Sequence, residues 1–446
     1  MQDNDQPDFT NGMLQQDPNA PPPSVPGVEP EHDEPAKTAI HLSYAGQWQD
    51  VASLALSNAF LSVISLGIYS FWGRTRIRRY LWSNTSANGS PLEYHGTGGQ
   101  IFLGFIVITI LFALINFGSD LLQTMLIGEV VDMQQFVAIW PAYLAVTALF
   151  ATLYLTFFAY VTYSVRRFWL AMTSWRGIRL RQAGRRRTLI AMALPYAAMT
   201  VLTLGLAYPW LVLRTEGYAY RESYVGDRQF LFSADPRLLL TGWLPFLASL
   251  WLLAGIPLAY ITILFVRFQS GDMDNEELKS AVTLVQGLPP LFSSTGLILC
   301  AVIVLPVTYG LFRARLFNVS VSALSLDGLS FRGTIRASTF ISAYVRVTLM
   351  TLVIAVPTTV LLVVLAPALF AGPLGPFFIL LFAAAYFMIW SYFRNIIIVH
   401  GLWKARVNAT QTDGLVDADG IRQAEKQRHL AGEGLGQAFD AGFGEA

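Results

Sequence analysis

The sequence predicts an all-α polytopic membrane protein with six transmembrane helices, two re-entrant or interfacial helical pairs and short cytoplasmic β-hairpins. Three observations support this fold class. The 446 residues are 54% hydrophobic and only 13% charged, whereas roughly a quarter of the residues of a soluble domain are charged. Apolar runs long enough to cross a bilayer recur along the chain. The arginines gather in the polar segments between these runs.

Both ends of the chain are predicted to be cytoplasmic tails. Residues 1–37 are acidic and proline-rich, and such a segment cannot bury enough apolar surface to offset its chain entropy. We therefore expect it to be disordered. The membrane domain then covers residues 38–408. The glycine- and alanine-rich segment at 409–446 is predicted to be a flexible tail.

Six apolar runs are predicted to span the membrane, because each provides about 20 residues at roughly 1.5 Å rise per residue. They cover roughly residues 101–118, 136–163, 238–266, 291–312, 347–370 and 374–393. Two more apolar stretches, at 51–72 and 189–213, are also long enough. The path of these two stretches decides between six and eight spans.

The distribution of Lys and Arg favours six spans, because cytoplasmic segments carry an excess of these residues. If both extra stretches enter and leave by the same face, 28 of the 30 Lys and Arg residues lie inside, and only Arg267 and Lys279 lie outside. Eight spans would instead put 14 inside and 16 outside. We therefore favour the six-span topology with both termini in the cytoplasm, and eight spans are the alternative.

An offset of 138 residues aligns two parts of the chain without a gap, at about 66–104 and 204–242. Two parallel copies of one unit should lie in the membrane the same way round. Glycine tolerates a helix break and proline forces one, so each copy is predicted to turn near the glycine at the equivalent position, Gly67 or Gly205. The candidate helix-break and interface motif comprises Gly67, Tyr69, Trp72, Gly205, Pro209 and Trp210.

Short turns between alternating apolar residues recur in the polar segments. The strongest is Asn88-Gly89, since a type I′ hairpin turn needs positive φ at both central residues. Related turns occur within residues 173–180, 224–230 and 325–331, and residues 41–46 resemble another strand and turn. In the six-span topology all of them lie on the cytoplasmic side. We expect them to pair into one small β layer beneath the helices.

Several short motifs occur together at 66–74 (LGIYSFWGR), 78–80 (RRY), 84–89 (NTSANG), 94–98 (YHGTG), 172–177 (MTSWRG) and 324–328 (LSLDG). In combination they resemble the YjgN family of bacterial inner-membrane proteins, over roughly residues 38–408. The family usually has proline before the first tryptophan of this pattern, where this sequence has Phe71 and where the second copy keeps Pro209. The family is a domain of unknown function. The resemblance therefore implies a bacterial inner-membrane location and implies no activity.

The sequence contains no recognisable catalytic or metal site. Cys300 is the single cysteine and the five histidines are scattered, so spacing predicts no disulfide and no metal cluster. No nucleophile is paired with a base and no two carboxylates form a dyad. We therefore predict that the chain is not an enzyme, binds no cofactor and no metal ion, and has no nucleic-acid partner.

A run of arginines is the candidate contact with anionic lipid, because a basic residue beside the membrane is attracted to the inner leaflet by about 1 kcal/mol. Fixing the topology is the alternative role of these residues. They are Arg74, Arg76, Arg78 and Arg79.

Two functions are consistent with the sequence. The first is a facilitator or channel-like transporter of a small solute, with the two broken helical segments packed among six spans. The second is a lipid-interacting or envelope scaffolding protein without transport activity. Membrane lipids are the expected partners, and a homo-oligomer is possible.

Overall fold

The computed structural model describes residues 39–127, 133–255, 294–370 and 375–423, together with isolated positions between 258 and 280. The predicted disordered tail at 1–37 lies outside the described residues. Residues 256–266 of the predicted span at 238–266, apart from isolated positions, and the chain after residue 423 also lie outside the described residues.

The described residues form eleven α-helices, and two of these continue into π-helical turns. The helices are α1 (Trp48–Ile64), α2 (Ser70–Ser83), α3 (Gly98–Ile127), α4 (Met133–Ala171), α5 (Arg186–Leu202), α6 (Tyr208–Arg221), α7 (Arg237–Leu250), α8 (Ser294–Ser322), α9 (Ala337–Phe370), α10 (Gly375–Arg394) and α11 (Leu402–Asn408). The π-helical turns are Trp251–Gly255 after α7 and Asn395–Gly401, which joins α10 to α11.

Ten short strands form one antiparallel sheet in chain order, so the chain contains more β structure than the all-α class with short hairpins that the sequence predicted. The strands are β1 (Leu42–Tyr44), β2 (Thr85–Ala87), β3 (Ser90–Tyr94), β4 (Thr173–Trp175), β5 (Ile178–Gln182), β6 (Ser223–Val225), β7 (Arg228–Phe232), β8 (Leu324–Leu326), β9 (Leu329–Gly333) and β10 (Thr410–Asp413). The sheet curls until β1 and β10 contact each other. There the hydroxyl of Thr412 donates a hydrogen bond to the carbonyl of Ile40.

The predicted turns at Asn88-Gly89 and within residues 173–180, 224–230 and 325–331 each lie in a hairpin of this sheet. β2 pairs with β3, β4 with β5, β6 with β7, and β8 with β9. Asn88 and Gly89 have φ of 50° and 72°, the positive values that a type I′ turn requires. The predicted strand near residues 41–46 is β1, which pairs with β2. The hairpins therefore form a single layer, larger than isolated hairpins would be.

The helices form a closed ring above the sheet. Five of them (α1, α3, α5, α7 and α9) leave the sheet, and α2, α4, α6, α8 and the joined pair α10–α11 return to it. Each helix of the ring contacts the next one along the chain, and α10 contacts α1. The ring is thus closed by contacts between the two ends of the membrane domain.

Two of the helical hairpins, α1–α2 and α5–α6, are shorter than the others and turn at the predicted glycines. The φ values are 52° and 90° at Leu66 and Gly67, and 51° and 97° at Leu204 and Gly205. In both turns the glycine N–H donates to the carbonyl five residues earlier, as in a Schellman motif. The two turns have the same backbone conformation, although the first copy has Phe71 at the position that Pro209 occupies in the second. Proline at this position is therefore not needed for the turn.

The two short hairpins match element by element. α5, α6, β6 and β7 each begin and end 138 residues after α1, α2, β2 and β3. β1 pairs with β2 and β5 pairs with β6. Each short helical hairpin therefore starts and finishes at neighbouring strands of one sheet.

The tips of the short hairpins are apolar and exposed. Leu66 is 76% exposed and Leu202 is 84% exposed. At the second tip, the indole N–H groups of Trp243 and Trp251 donate to the carbonyls of Gly205 and Leu204 at 2.9 and 3.0 Å. Backbone polar groups away from water need such partners.

The inside of the curled sheet is an apolar core. The last residue of each hairpin's first strand points into it, namely Ala87, Trp175, Val225 and Leu326. Residues 416–421 close this core with Val416, Ala418 and Ile421, all of which are buried. The prediction that the whole of 409–446 is a flexible tail is therefore wrong for residues 410–421. Their few apolar side chains pack against the apolar residues on the inside of the curled sheet.

Among the described residues, five helical segments are long and apolar enough to cross a membrane, by length and composition. They are Gly98–Met125, Ile139–Ala171, Cys300–Ser322, Ala337–Val360 and Leu381–Asn408. Each overlaps one of the six predicted spans. The described part of the remaining span, at 238–266, is the shorter apolar helix Arg237–Leu253.

Candidate functional site

The five helices that return to the sheet place equivalent side chains inside the ring. In each case the residue lies seven positions before the first residue of the following strand, which is two helical turns. We call these five positions the inner belt. They are Arg78, Arg166, Glu216, Phe317 and Trp403.

Four belt residues contact the next returning helix and Phe317 shares an apolar cluster with the next one, so the belt runs once around the ring. Trp403 stacks on Trp82 of α2 with ring centroids 4.5 Å apart, and its indole N–H donates to Thr85 Oγ1 at 2.9 Å. Phe317 packs in the same apolar cluster as Ala405 of α11. These contacts make the belt aromatic and apolar at the junction between the two ends of the chain.

Arg78 is the belt residue of α2, and it is buried, with only 5% of its surface exposed. Its Cζ lies 4.4 Å from the ring of Trp169, 5.3 Å from that of Tyr94 and 6.0 Å from that of Trp82. Its Nη1 donates to the Tyr94 hydroxyl at 3.2 Å. Desolvated cation–π contacts of this kind are worth about 2 kcal/mol. Arg78 therefore packs inside the protein, where the sequence had suggested a lipid contact.

The other three predicted lipid contacts lie on α2 with different surroundings. Arg74 lies over the ring of Phe71 at 5.7 Å and is partly exposed. Arg76 is exposed and donates to Asn58 Oδ1 at 3.2 Å and to the Tyr69 hydroxyl at 3.1 Å. Arg79 is exposed, and its Nη2 donates to a backbone carbonyl at 3.4 Å. Arg76 and Arg79 thus face outward, as a lipid contact requires.

The predicted helix-break motif is only partly brought together. Tyr69 stacks on Trp72 with ring centroids 6.5 Å apart, and Trp72 also contacts Phe102. Pro209 is fully buried at the start of α6. The two copies lie on different helical hairpins, so the motif marks two equivalent positions and forms no single site.

The charged part of the belt lies between α4, α6 and α8. The Cζ of Arg166 lies 4.0 Å from the ring centroid of Tyr220. The hydroxyl of Ser320 donates to Glu216 Oε2 at 2.7 Å. Burial raises the pKa of Glu216, while the Ser320 hydrogen bond and the charges of Arg166 and Arg313 act in the opposite direction. Burial thus favours the neutral form of this carboxyl group.

Two more arginines extend this group towards α9 and α11. Arg313 of α8 interacts with the hydroxyl of Tyr344 and lies over the ring of Tyr309 at 6.0 Å. Arg406 of α11 lies over the ring of Phe340 at 5.4 Å, and its charge reaches Tyr344. We define the central charge cluster as Arg166, Glu216, Arg313 and Arg406.

Side chains from α4, α6, α8, α9 and α11 converge on this cluster, which places it within the ring of helices. Glu216 and Tyr220 lie deep inside the protein. Both nevertheless keep part of their surface accessible. The arrangement offers guanidinium donors, one carboxyl group and several phenol hydroxyls to whatever enters it.

None of the residues predicted as a site from the sequence belongs to this cluster. Arg166, Glu216 and Arg313 each follow the predicted end of an apolar run by a few residues. A prediction from hydropathy ends each span at the first charged residue and places that residue at the membrane surface. In the structure the three helices continue past these residues, and the charged side chains lie among other helices. The signal that could have identified the belt is its spacing, seven residues before the strand that follows each returning helix.

No group of three His, Cys, Asp or Glu side chains that could hold a metal ion occurs within the described part of the chain. The central charge cluster has one carboxyl group, and guanidinium groups are not metal ligands in the usual sites. The site is therefore described by its charges and hydrogen-bond donors alone.

A family model described as "Bacterial protein of unknown function (DUF898)" matches residues 39–438. Inner membrane protein YjgN of Salmonella typhimurium is 30% identical over 102 residues, which are 22% of this chain and 26% of that protein. YjgN of Escherichia coli O157:H7 is 31% identical over 77 residues, 17% of this chain and 19% of that protein. The matches thus span about a quarter or less of these curated relatives. No solved structure matches the chain.

Proposed function

Because this chain belongs to the bacterial family DUF898, and so to the family of the YjgN inner membrane proteins, we propose its function from its own residues. We propose that it is an inner-membrane facilitator through which a small solute crosses. The observation that carries the proposal is the central charge cluster inside a closed ring of apolar helices. A charged group among membrane helices is costly and is usually kept for a solute path.

The proposed topology puts the sheet and both termini in the cytoplasm, with the two short hairpins entering and leaving by that face. α1 has 17 residues, about 25 Å at 1.5 Å per residue, which is less than the roughly 30 Å hydrocarbon core. The exposed apolar tips at residues 60–68 and 199–206 suit a lipid environment. The short hairpins would then be re-entrant, and the longer helices would span.

Cysteine labelling tests this topology. In a Cys300→Ala background, we expect Gln49→Cys and Ser83→Cys to react with an impermeant thiol reagent in inverted vesicles and not in intact cells. Both positions are exposed, and they lie at the start of α1 and the end of α2. A control, Ile64→Cys at the 65% exposed tip, should stay unlabelled from either side because lipid covers it. Labelling of Gln49→Cys alone in intact cells would overturn the topology.

Solute flux tests the proposed function. Purified protein in liposomes should raise the flux of at least one solute in a panel of sugars, amino acids, carboxylates and phosphates above that of empty liposomes. Arg166→Gln should reduce that flux by roughly tenfold or more, because one charge-assisted hydrogen bond is worth about 1.5–3 kcal/mol. Arg214→Gln is the matched control, since Arg214 is exposed on the same helix as Glu216.

A panel in which every solute crosses no faster than in empty liposomes would contradict the facilitator proposal.

The second candidate, a lipid-interacting protein, is favoured by the outward-facing Arg76 and Arg79 beside the exposed Trp72. It would then be supported if the protein copurifies with anionic lipid and Arg76→Gln with Arg79→Gln removes that lipid.

A further inference from the structure

We propose that the central charge cluster binds a small oxyanion, a carboxylate or phosphate group held between Arg166 and Arg313, and that protonation of Glu216 strengthens the binding. The inference names the substrate class of the proposed facilitator and rests on that function for its biological role. The binding itself can be tested without transport.

The first argument is the balance of charge. Among the described residues, Arg166 and Arg313 act on the single carboxyl group of Glu216, so these three side chains have an excess of positive charge whichever form that carboxyl group takes. A charge held away from water without a counter-charge is strongly unfavourable. An anion that enters the site would supply the missing negative charge.

The second argument is the way in which the guanidinium groups are held. Arg166 is fixed against the ring of Tyr220, and Arg313 lies over the ring of Tyr309. A guanidinium group has five N–H donors in its own plane, and an aromatic ring against its face leaves most of them available at the edge. Such edges bind carboxylate and phosphate oxygens in pairs of parallel hydrogen bonds.

The third argument is the position of Glu216 between the two arginines. Arg166 comes from α4 and Arg313 from α8, and α6 carries Glu216 between them in the ring. An ionised Glu216 would compete with an entering anion for the same donors. A protonated Glu216 would leave both arginines to the anion and could itself donate a hydrogen bond.

Glu216 is the group that sets the pH dependence. The charged and titratable side chains around it are Arg166 from α4, Tyr208 and Tyr220 from α6, Arg313 and Tyr309 from α8, Tyr344 from α9 and Arg406 from α11. Between about pH 5 and 8, arginine side chains are positively charged and tyrosine side chains are neutral, and neither state changes. Binding should therefore strengthen as the pH falls and Glu216 takes up its proton.

Isothermal titration of the purified full-length protein in detergent tests the site. The probes are inorganic phosphate, acetate and short-chain phosphatidic acid, each at pH 5.5 and 7.5. We expect at least one probe to bind, more tightly at the lower pH. Arg166→Gln and Arg313→Gln should each weaken binding by roughly tenfold or more, whereas Arg214→Gln should not. Glu216→Gln, which is neutral at both pH values, should keep the binding, and its affinity for acetate, which is ionised at both pH values, should no longer depend on pH.

Each outcome has a defined meaning. Binding of phosphate or acetate assigns the site to a free anion, and binding of phosphatidic acid alone assigns it to a lipid headgroup. The inference is overturned if no probe binds, if both arginine variants bind as the parent does, or if acetate, which is ionised at both pH values, binds less tightly at pH 5.5 than at pH 7.5. Gel filtration and thermal unfolding of each variant separate loss of binding from loss of folding. Binding without flux would leave the site standing and overturn the transport function alone.

Discussion

Replacing Arg78 with alanine is expected to lower the free energy of unfolding by about 4 kcal/mol, the combined value of a desolvated cation–π contact and a charge-assisted hydrogen bond. Arg78 is buried against the rings of Trp169 and Tyr94 and donates to the Tyr94 hydroxyl. The change would remove the link between α2 and α4 in the inner belt. Thermal unfolding in detergent, followed by tryptophan fluorescence, measures the effect.

The adjacent residue supplies the control. Arg79 is exposed, and Arg79→Ala should change stability by no more than about 0.5 kcal/mol, as surface substitutions usually do. Arg78→Lys keeps the charge but loses the planar group that lies over the rings, so it should fall between the other two variants. Equal stability of Arg78→Ala and Arg79→Ala would show that the belt contact of Arg78 contributes nothing.

A charge introduced into the core of the curled sheet should have an effect of similar or larger size. Val416 is 1% exposed and packs with Leu329 and Trp175. Val416→Asp would bury a carboxyl group with no counter-charge, at a cost of about 4 kcal/mol. We expect a much lower unfolding midpoint and rapid proteolysis of the segment after residue 408, because residues 416–421 could no longer pack inside the sheet.

Leu415 is the matched control for this second variant, because it is the neighbouring residue and is 54% exposed. Leu415→Asp should leave both the unfolding midpoint and the protease resistance close to those of the parent protein. If Val416→Asp were as stable and as protease-resistant as Leu415→Asp, the segment would not be part of the core in solution.

Local features of this fold could be predicted because they depend on a few neighbouring residues. The Asn88-Gly89 turn follows from the backbone angles that these residues tolerate. The breaks at Gly67 and Gly205 follow from the same conformational freedom. The two copies of the short hairpin could be found because equivalent residues recur at one fixed offset.

Features that depend on distant parts of the chain could not be predicted in the same way. Arg78 has the same local sequence signature as a membrane-surface arginine, and only its contact with Trp169 of another helix buries it. Residues 416–421 have the composition of a tail, and they pack because four hairpins from elsewhere surround them. The central charge cluster likewise exists only once α4, α6, α8 and α11 are brought together.

The contact between β1 and β10 fixes the order of events during synthesis. β1 lies at residues 42–44 and β10 at residues 410–413, so β10 cannot cover the outer edge of the first strand until almost the whole membrane domain has left the ribosome. The four internal hairpins can form as they emerge, because their strands are neighbours in the chain. A nascent chain that stops before residue 410 keeps two open strand edges, at β1 and β9, and open edges are templates for pairing with another chain. Completion of this fold is therefore a late step of biogenesis, and interrupted chains expose strand edges through which they can associate with one another.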